Sequence, residues 1–318
     1  MKRVALAALV SGTSLCLAAA ACSHDRGGGS GSGGTITGPD TVLPPNNPVY
    51  GLNFGPDVYP GQDPGTTVPA AQVTSLLTTL RGYTQWIRTF GMRNGLQAVP
   101  SIAHQLGFKT AIGASIGPDP TTNQWEIDNL VAAAQAGDVD LAIVGNEVLL
   151  NNLRSEAEVI TYIQSVKSRV PAGIPVTYVD TWGTLLAHPN LIAAVDIVAA
   201  NIYPFWEGVP IDQALAGLQA RYASLVQAAN GKSVVIAETG WPSAGGQGSV
   251  TGALAPSLAN ATAYLSAVET WARSANIPLF YFEAFDEAWK VNAGDYASWG
   301  IFEASGGLKS GMAAIFQK

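Results

Sequence analysis

From Tyr50 onward the chain alternates between short apolar runs and longer segments whose apolar positions recur at three and four residues. The clearest short runs are Leu141-Ala142-Ile143-Val144 and Val234-Val235-Ile236-Ala237. They are apolar at consecutive positions and rich in β-branched residues, the pattern of a strand buried on both faces. Six further runs complete a series: Tyr50–Phe54, Gln85–Phe90, Thr110–Gly113, Val176–Val179, Ile197–Ala200 and Leu279–Phe282. Helical periodicity occupies Ala70–Leu80, Asn123–Ala136, Ser155–Val170, Ile211–Asn230 and Ser257–Ala275. In the third of these, Val159, Ile160, Ile163 and Val166 share one face, and Ser155 with Glu158 reads as a capping box. Strand–helix alternation predicts a parallel sheet, and eight units predict closure into a single (β/α)₈ TIM barrel, with a doubly wound open sheet as the alternative.

Polar residues break this pattern at two informative places. Glu147 follows the fourth strand and Glu238 the seventh, 91 positions further on. A (β/α)₈ barrel uses about 30 residues per unit, so three units separate the two acids and bring both to the C-terminal rim. An open sheet gives no reason for functional residues to gather at strands four and seven. Two carboxylates converging on one rim suit glycoside hydrolysis by an acid and a second carboxylate. A glutamate at a strand end is also compatible with a solvated loop residue or an ion-pair partner.

The surrounding residues carry a resemblance. Val144-Gly145-Asn146-Glu147-Val148, Ala237-Glu238-Thr239-Gly240-Trp241-Pro242-Ser243 and Phe285-Asp286-Glu287-Ala288-Trp289-Lys290 resemble the motifs of glycoside hydrolase family 17. Gly51-Leu52-Asn53-Phe54-Gly55 and Ile87-Arg88-Thr89-Phe90 match its first two strands, and the likeness runs in order from about Tyr50 to Phe302. The resemblance implies a β-1,3-glucan-active barrel in which Glu147 is the general acid/base and Glu238 the nucleophile of a retaining double displacement. Such a mechanism needs carboxyl groups roughly 5–5.5 Å apart. It further implies that Asn146 hydrogen-bonds the sugar 2-hydroxyl. Tyr203, beyond strand six, is placed to donate to Glu238, and Arg88 to assist it or to serve as a structural clamp. Glu287 and Lys290 match the family's strand-eight pair; a salt bridge on an exposed turn is the other reading. Glu283 would compete with Glu287 for substrate. Trp206, Trp241, Trp289 and Trp299 fall in the C-terminal loops, where aromatic faces stack on sugars or pack inward. Two positions depart from the wall-type branch of the family: Ser115, where an aromatic is expected, and Ala288, where proline is common. The same covalent intermediate would serve a β-1,3-glucanosyltransferase. A glucan-binding surface lipoprotein without catalysis is the non-enzyme alternative, and it would need neither glutamate.

Composition narrows the setting. Lys2 and Arg3 precede an apolar stretch that ends in small residues before Cys22, the form of a secretory signal over 1–21. It resembles a bacterial lipoprotein signal, which implies lipidation of Cys22, with ordinary cleavage beside Ala21 as the alternative. Cys16 lies within that segment, which leaves no disulfide and no zinc–thiolate site after cleavage. Residues 22–48 are rich in glycine, serine, threonine and proline, a flexible linker holding the 49–318 barrel away from a membrane. Net charge is −7, only 12% of residues are charged and the basic ones are scattered, which excludes a nucleic-acid partner and suits a neutral polymer. His24, His104 and His188 lack metal-ligand spacing, and no Gly-x-Ser-x-Gly elbow, phosphate loop or dinucleotide fingerprint follows a strand. No metal or cofactor is expected. The reading is an exported, membrane-anchored monomer acting on a β-glucan polysaccharide or oligosaccharide.

Overall fold

A computed structural model of the chain describes residues 46–245, 254–292 and 296–317. The expected signal segment, Cys22 and the linker up to residue 45 lie outside the described residues. Eight strands form a closed barrel in sequence order: β1 (Val49–Asn53), β2 (Thr84–Arg88), β3 (Lys109–Ala114), β4 (Leu141–Asn146), β5 (Val176–Thr181), β6 (Val198–Asn201), β7 (Val234–Thr239) and β8 (Leu279–Tyr281). Every neighbouring pair is parallel, including β8 with β1. All eight apolar runs are strands, with ends that agree to within two residues. The displacement matters at β7, which continues to Thr239 and so carries Glu238 within the strand.

The helices are α1 (Ala70–Thr79), α2 (Val99–Gln105), α3 (Pro120–Gln135), α4 (Glu156–Lys167), α5 (Trp182–Ala187), α6 (Pro189–Ala194), α7 (Ile211–Ala228), α8 (Leu258–Ser274) and α9 (Trp289–Asn292). At α4 the capping box forms in full: the Ser155 hydroxyl accepts from the Glu158 N–H, and the Glu158 carboxylate accepts from the Ser155 N–H. Helices α2, α5 and α6 span seven, six and six residues, too short to display a period in sequence. None of the described helices is long and apolar enough to cross a membrane.

The core has two parts. Inside the barrel, Ala111, Leu141, Ile143, Val179, Ala199, Val235, Ala237 and Phe280 pack together, with Tyr50 and Trp86 stacked at 5.6 Å. The larger part lies between strands and helices. Gly51 is bare because Phe280 fills the barrel beside it: a Cβ there would sit 2.3 Å from the Phe280 ring. At the domain's start, the N–H groups of Asn46 and Asn47 both donate to the Phe316 carbonyl at 3.1 Å. Arg273 Nη2 donates to the Asn47 carbonyl at 3.1 Å, so the first and last described segments are tied together.

Alternation along β7 places Val235 and Ala237 inside the barrel and would by itself send Glu238 outward toward the helices. The pairing register of β7 shifts against both β6 and β8 at this point, and that of β4 shifts against β5 between Ile143 and Asn146. Such irregularities re-aim a side chain next to a site. Gly51→Ala is expected to lower unfolding free energy by about 1–3 kcal/mol through overpacking, measured by urea denaturation. An unchanged midpoint would show that the barrel interior yields there.

Candidate active site

The two re-aimed strands deliver their acids to one buried network centred on Arg88. Arg88 ends β2 and is 1% exposed. Its Nη1 donates to Glu238 Oε1 at 2.8 Å and also to Asn53 Oδ1, while Nη2 donates to Asn146 Oδ1 at 2.9 Å. The guanidinium lies over the Phe90 ring, 4.7 Å from its centroid. Asn53 continues across the barrel mouth, its Nδ2 donating to the carbonyls of Ala237 at 3.1 Å and Tyr281 at 3.3 Å. A charge this buried needs acceptors; for Nη1 and Nη2 they come from β1, β4 and β7, while Nε has no hydrogen-bond partner among the described residues.

Glu238 receives a second donor, the Tyr203 hydroxyl, at 3.0 Å on Oε2. One cation and one hydroxyl therefore aim both oxygens. Burial and the Glu238 charge push the Tyr203 hydroxyl well above the usual phenol range, so it stays a donor.

Glu147 is treated differently. It follows β4 with φ +53°, in the left-handed region, two residues after Gly145 at φ +89°. Its N–H donates to the Val179 carbonyl at 2.9 Å, and its Oε1 accepts from Asn201 Nδ2 at 2.8 Å. Among the described residues no cation contacts it. Burial, then the negative Glu238, raise its pKa to about 7, with the Asn201 bond working in the opposite direction. Asn146 uses its Oδ1 for both Arg88 and Asn201, whose Nδ2 approaches at 3.3 Å.

Beyond β8 a second polar cluster is closed rather than exposed. Lys290 is buried, pairs with Glu283 and with Glu287 Oε2 at 2.9 Å, and lies 4.2 Å from the centroid of the Phe282 ring. Burial works against its ammonium, but the two glutamates outweigh it and hold the lysine above its ordinary range. The exposed-turn alternative for Glu287 and Lys290 is thereby replaced by a desolvated ion cluster. Glu283 is committed to Lys290. Gly55 must lack a side chain because its Cβ would meet Glu287 Oε1 at 2.1 Å. Asp57 sits beside this cluster, its pKa raised to about 7 by burial and by Glu287.

The four tryptophans separate. Trp206 is 54% exposed and lies tilted against Tyr296 at 5.6 Å and Trp299 at 5.5 Å. Trp289 is half-buried, and its buried Nε1 has no hydrogen-bond partner among the described residues. Trp299 is buried and packs edge-on against Tyr203. Trp241 takes the packed alternative: it is wholly buried, edge-on to Phe205 at 5.1 Å, with Nε1 donating to the Ala255 carbonyl. It has no face open to a sugar. Ser115 turns its N–H to buried Glu126 at 3.1 Å, and Ala288 is exposed.

Asn53, Asn201 and Asp180 were not singled out as site residues by pattern. Each is a polar side chain at or next to the end of an apolar strand, at the same rim as the glutamates, and that coincidence was the available signal. Arg88→Met is expected to cost about 3–5 kcal/mol of unfolding free energy, because it strands Glu238 buried without its counter-charge. A loss below about 1 kcal/mol in denaturant titration would mean that water repairs the site.

The BtgE/BtgC glycoside hydrolase domain matches residues 51–300. A "probable glucan endo-1,3-β-glucosidase btgC" of Aspergillus fumigatus is 33% identical over 64% of this chain and 33% of its own length. The chain thus spans about a third of that curated relative. A glycoside hydrolase family 17 β-1,3-glucanosyltransferase of Rhizomucor miehei is 31% identical, with a TM-score of 0.72 over 83% of this chain and 96% of that one. An active-site mutant of that enzyme has been solved with laminaritriose. An endo-laminarinase of Formosa, at 20% identity and a TM-score of 0.74, shares the fold. With the family's domain matched across the whole barrel and its motifs gathered at one mouth, the chain belongs to the BtgE/BtgC glycoside hydrolases of family 17.

Proposed function

We propose that the chain is a retaining β-1,3-glucan hydrolase in which Glu238 attacks the anomeric carbon and Glu147 protonates the leaving oxygen. The observation that carries this is the asymmetry of the two acids. Glu238 is held by Arg88 and Tyr203, whereas Glu147, with no cation in contact, has a pKa near 7. A carboxyl that keeps its proton, set beside a carboxylate held by a cation and a hydroxyl, divides the roles of acid and nucleophile between them. In the first step the Glu238 oxygen forms a bond to the anomeric carbon as the glycosidic bond breaks, and the Glu147 proton goes to the departing oxygen. In the second, Glu147 takes a proton from water, whose oxygen displaces Glu238. Asn146, whose Oδ1 is fixed by Arg88 and Asn201, keeps its amide nitrogen for the sugar 2-hydroxyl. Trp206 and Trp289 would contribute to the sugar subsites, and the buried Glu287 and Lys290 would support them from beneath.

A glucanosyltransferase is the second reading. It is favoured by the likeness to the Rhizomucor enzyme and by Trp206, an exposed ring backed by Tyr296 and Trp299 on which an acceptor sugar could stack. The same intermediate serves both. We further propose that the protein acts as an exported monomer anchored through lipidated Cys22.

A mass-spectrometric time course on laminarin should show shorter oligosaccharides, and Glu238→Ala should abolish them while circular dichroism stays unchanged. Products longer than a supplied laminari-oligosaccharide would reveal the transferase. Glu147→Ala should reduce turnover of laminarin far more than of a dinitrophenyl glycoside, whose leaving group needs little protonation. Because Glu147 must hold its proton, the parent's kcat/KM should fall as pH rises through about 7. Equal losses on both substrates, or a flat profile to pH 9, would remove Glu147 from the role. For the anchor, Cys22→Ala should move the protein from the detergent to the aqueous phase of a Triton X-114 partition. Parent protein already in the aqueous phase would refute lipidation.

A further inference from the structure

Asp180 belongs to none of the roles assigned above. It lies on β5, wholly buried, and its carboxylate is fully engaged. Oδ1 accepts the Thr181 N–H at 2.8 Å. Oδ2 accepts the N–H groups of Leu149 at 3.3 Å and Leu150 at 3.4 Å, together with the Tyr178 hydroxyl. That hydroxyl in turn accepts from the Leu149 N–H at 3.0 Å. Leu149 and Leu150 are the second and third residues after Glu147 and lie in the turn that follows its positive φ. On its other side the turn is closed by Asn151, whose N–H and Nδ2 both donate to the Glu147 carbonyl, at 3.1 and 2.9 Å.

A non-glycine residue in the left-handed region persists only where its surroundings over-determine it. Here two buried side chains of one strand do so by collecting the N–H groups of the next strand's loop. We propose that Asp180, with Tyr178, is a positioning residue for Glu147, clamping the 147–150 turn so that the carboxyl stays beside Asn201 and facing Glu238. This rests on the reading of Glu147 as acid/base. The buried charge of Asp180 adds a second effect. The groups facing Glu147 are Glu238 from β7, Asp180 from β5, Arg88 from β2, and Asn201 and Tyr203 from the end of β6. Glu238 and Asp180 keep its proton on, while Asn201 and Arg88 oppose them. Removing the Asp180 charge should therefore lower the Glu147 pKa.

The test compares Asp180→Asn and Tyr178→Phe with the parent, Glu147→Ala and Glu238→Ala on laminarin and on a dinitrophenyl β-laminaribioside. Asp180→Asn is expected to lose on the order of 10²-fold in kcat on laminarin, within the range of a general acid–base contribution. The basic limb of its kcat/KM profile should move to lower pH. Its aryl-glycoside turnover should recover with azide, which attacks the glycosyl-enzyme without a base. Tyr178→Phe, which keeps the charge and loses the clamp's bridge, should lose about tenfold with the limb unmoved. A parent-like limb in Asp180→Asn with no azide recovery overturns the proposal while leaving the glucanase reading intact. So does loss of cooperative unfolding in both variants, which would make the cluster a matter of stability alone. A parent inactive on both substrates, or an active Glu238→Ala, would instead bring down the glucanase reading, and the assignment of Asp180 with it.

Discussion

A guanidinium buried at the mouth of a barrel has to be surrounded by acceptors, and at Arg88 this requirement organises everything above it. Its cation is out of water, where an unpaired charge would carry a penalty of several kcal/mol. Asn53, Asn146 and Glu238 answer it from three strands. The consequence is geometric: Glu238 is aimed by a hydrogen bond that the fold cannot give up, and Asn146 is locked one residue before Glu147. Tyr203 and Asn201 then finish the two acids separately. Charge neutralisation reaches one carboxylate and stops short of the other, and the chemical division proposed for them rests on that.

Backbone irregularity does the rest. A regular β-strand turns successive side chains to opposite faces, so a carboxylate aimed into the barrel mouth beside inward-facing Ala237 requires a break in register, and β7 has one. On β4 the break spans Gly145, at positive φ, and just beyond the strand Glu147 is left-handed. Departures of this kind cluster at functional sites and persist when neighbouring groups hold them. The hydrogen bonds from the 147–150 turn to Asp180 and Tyr178 supply that hold, linking the packing of β5 to the orientation of a side chain on β4.

Much of this was legible in the sequence because buried parallel strands are apolar at consecutive positions and their spacing counts off barrel units. The eight strands, the common rim of Glu147 and Glu238, and the α4 cap all follow from local pattern. What was illegible depends on the third dimension. Trp241 sits in a motif beside an acid, yet strand geometry turns it into the core. Lys290 and Glu287 read as well for an exposed turn as for a site, because burial around Phe282 and Gly55 is set by residues far away in the chain. Short α2, α5 and α6 carry too few turns for a period. Asn201 and Asp180 look like ordinary polar strand ends until β4 is seen beside them.

The division of labour between the acids has one direct stereochemical consequence, independent of any variant. Time-resolved ¹H NMR of laminari-oligosaccharide cleavage reports the anomeric configuration of the first product before mutarotation. The β-anomer is expected first, as double displacement through Glu238 requires. Initial release of the α-anomer would mean that water attacks directly, and would contradict the role given to Glu238 and the site built around Arg88 to support it.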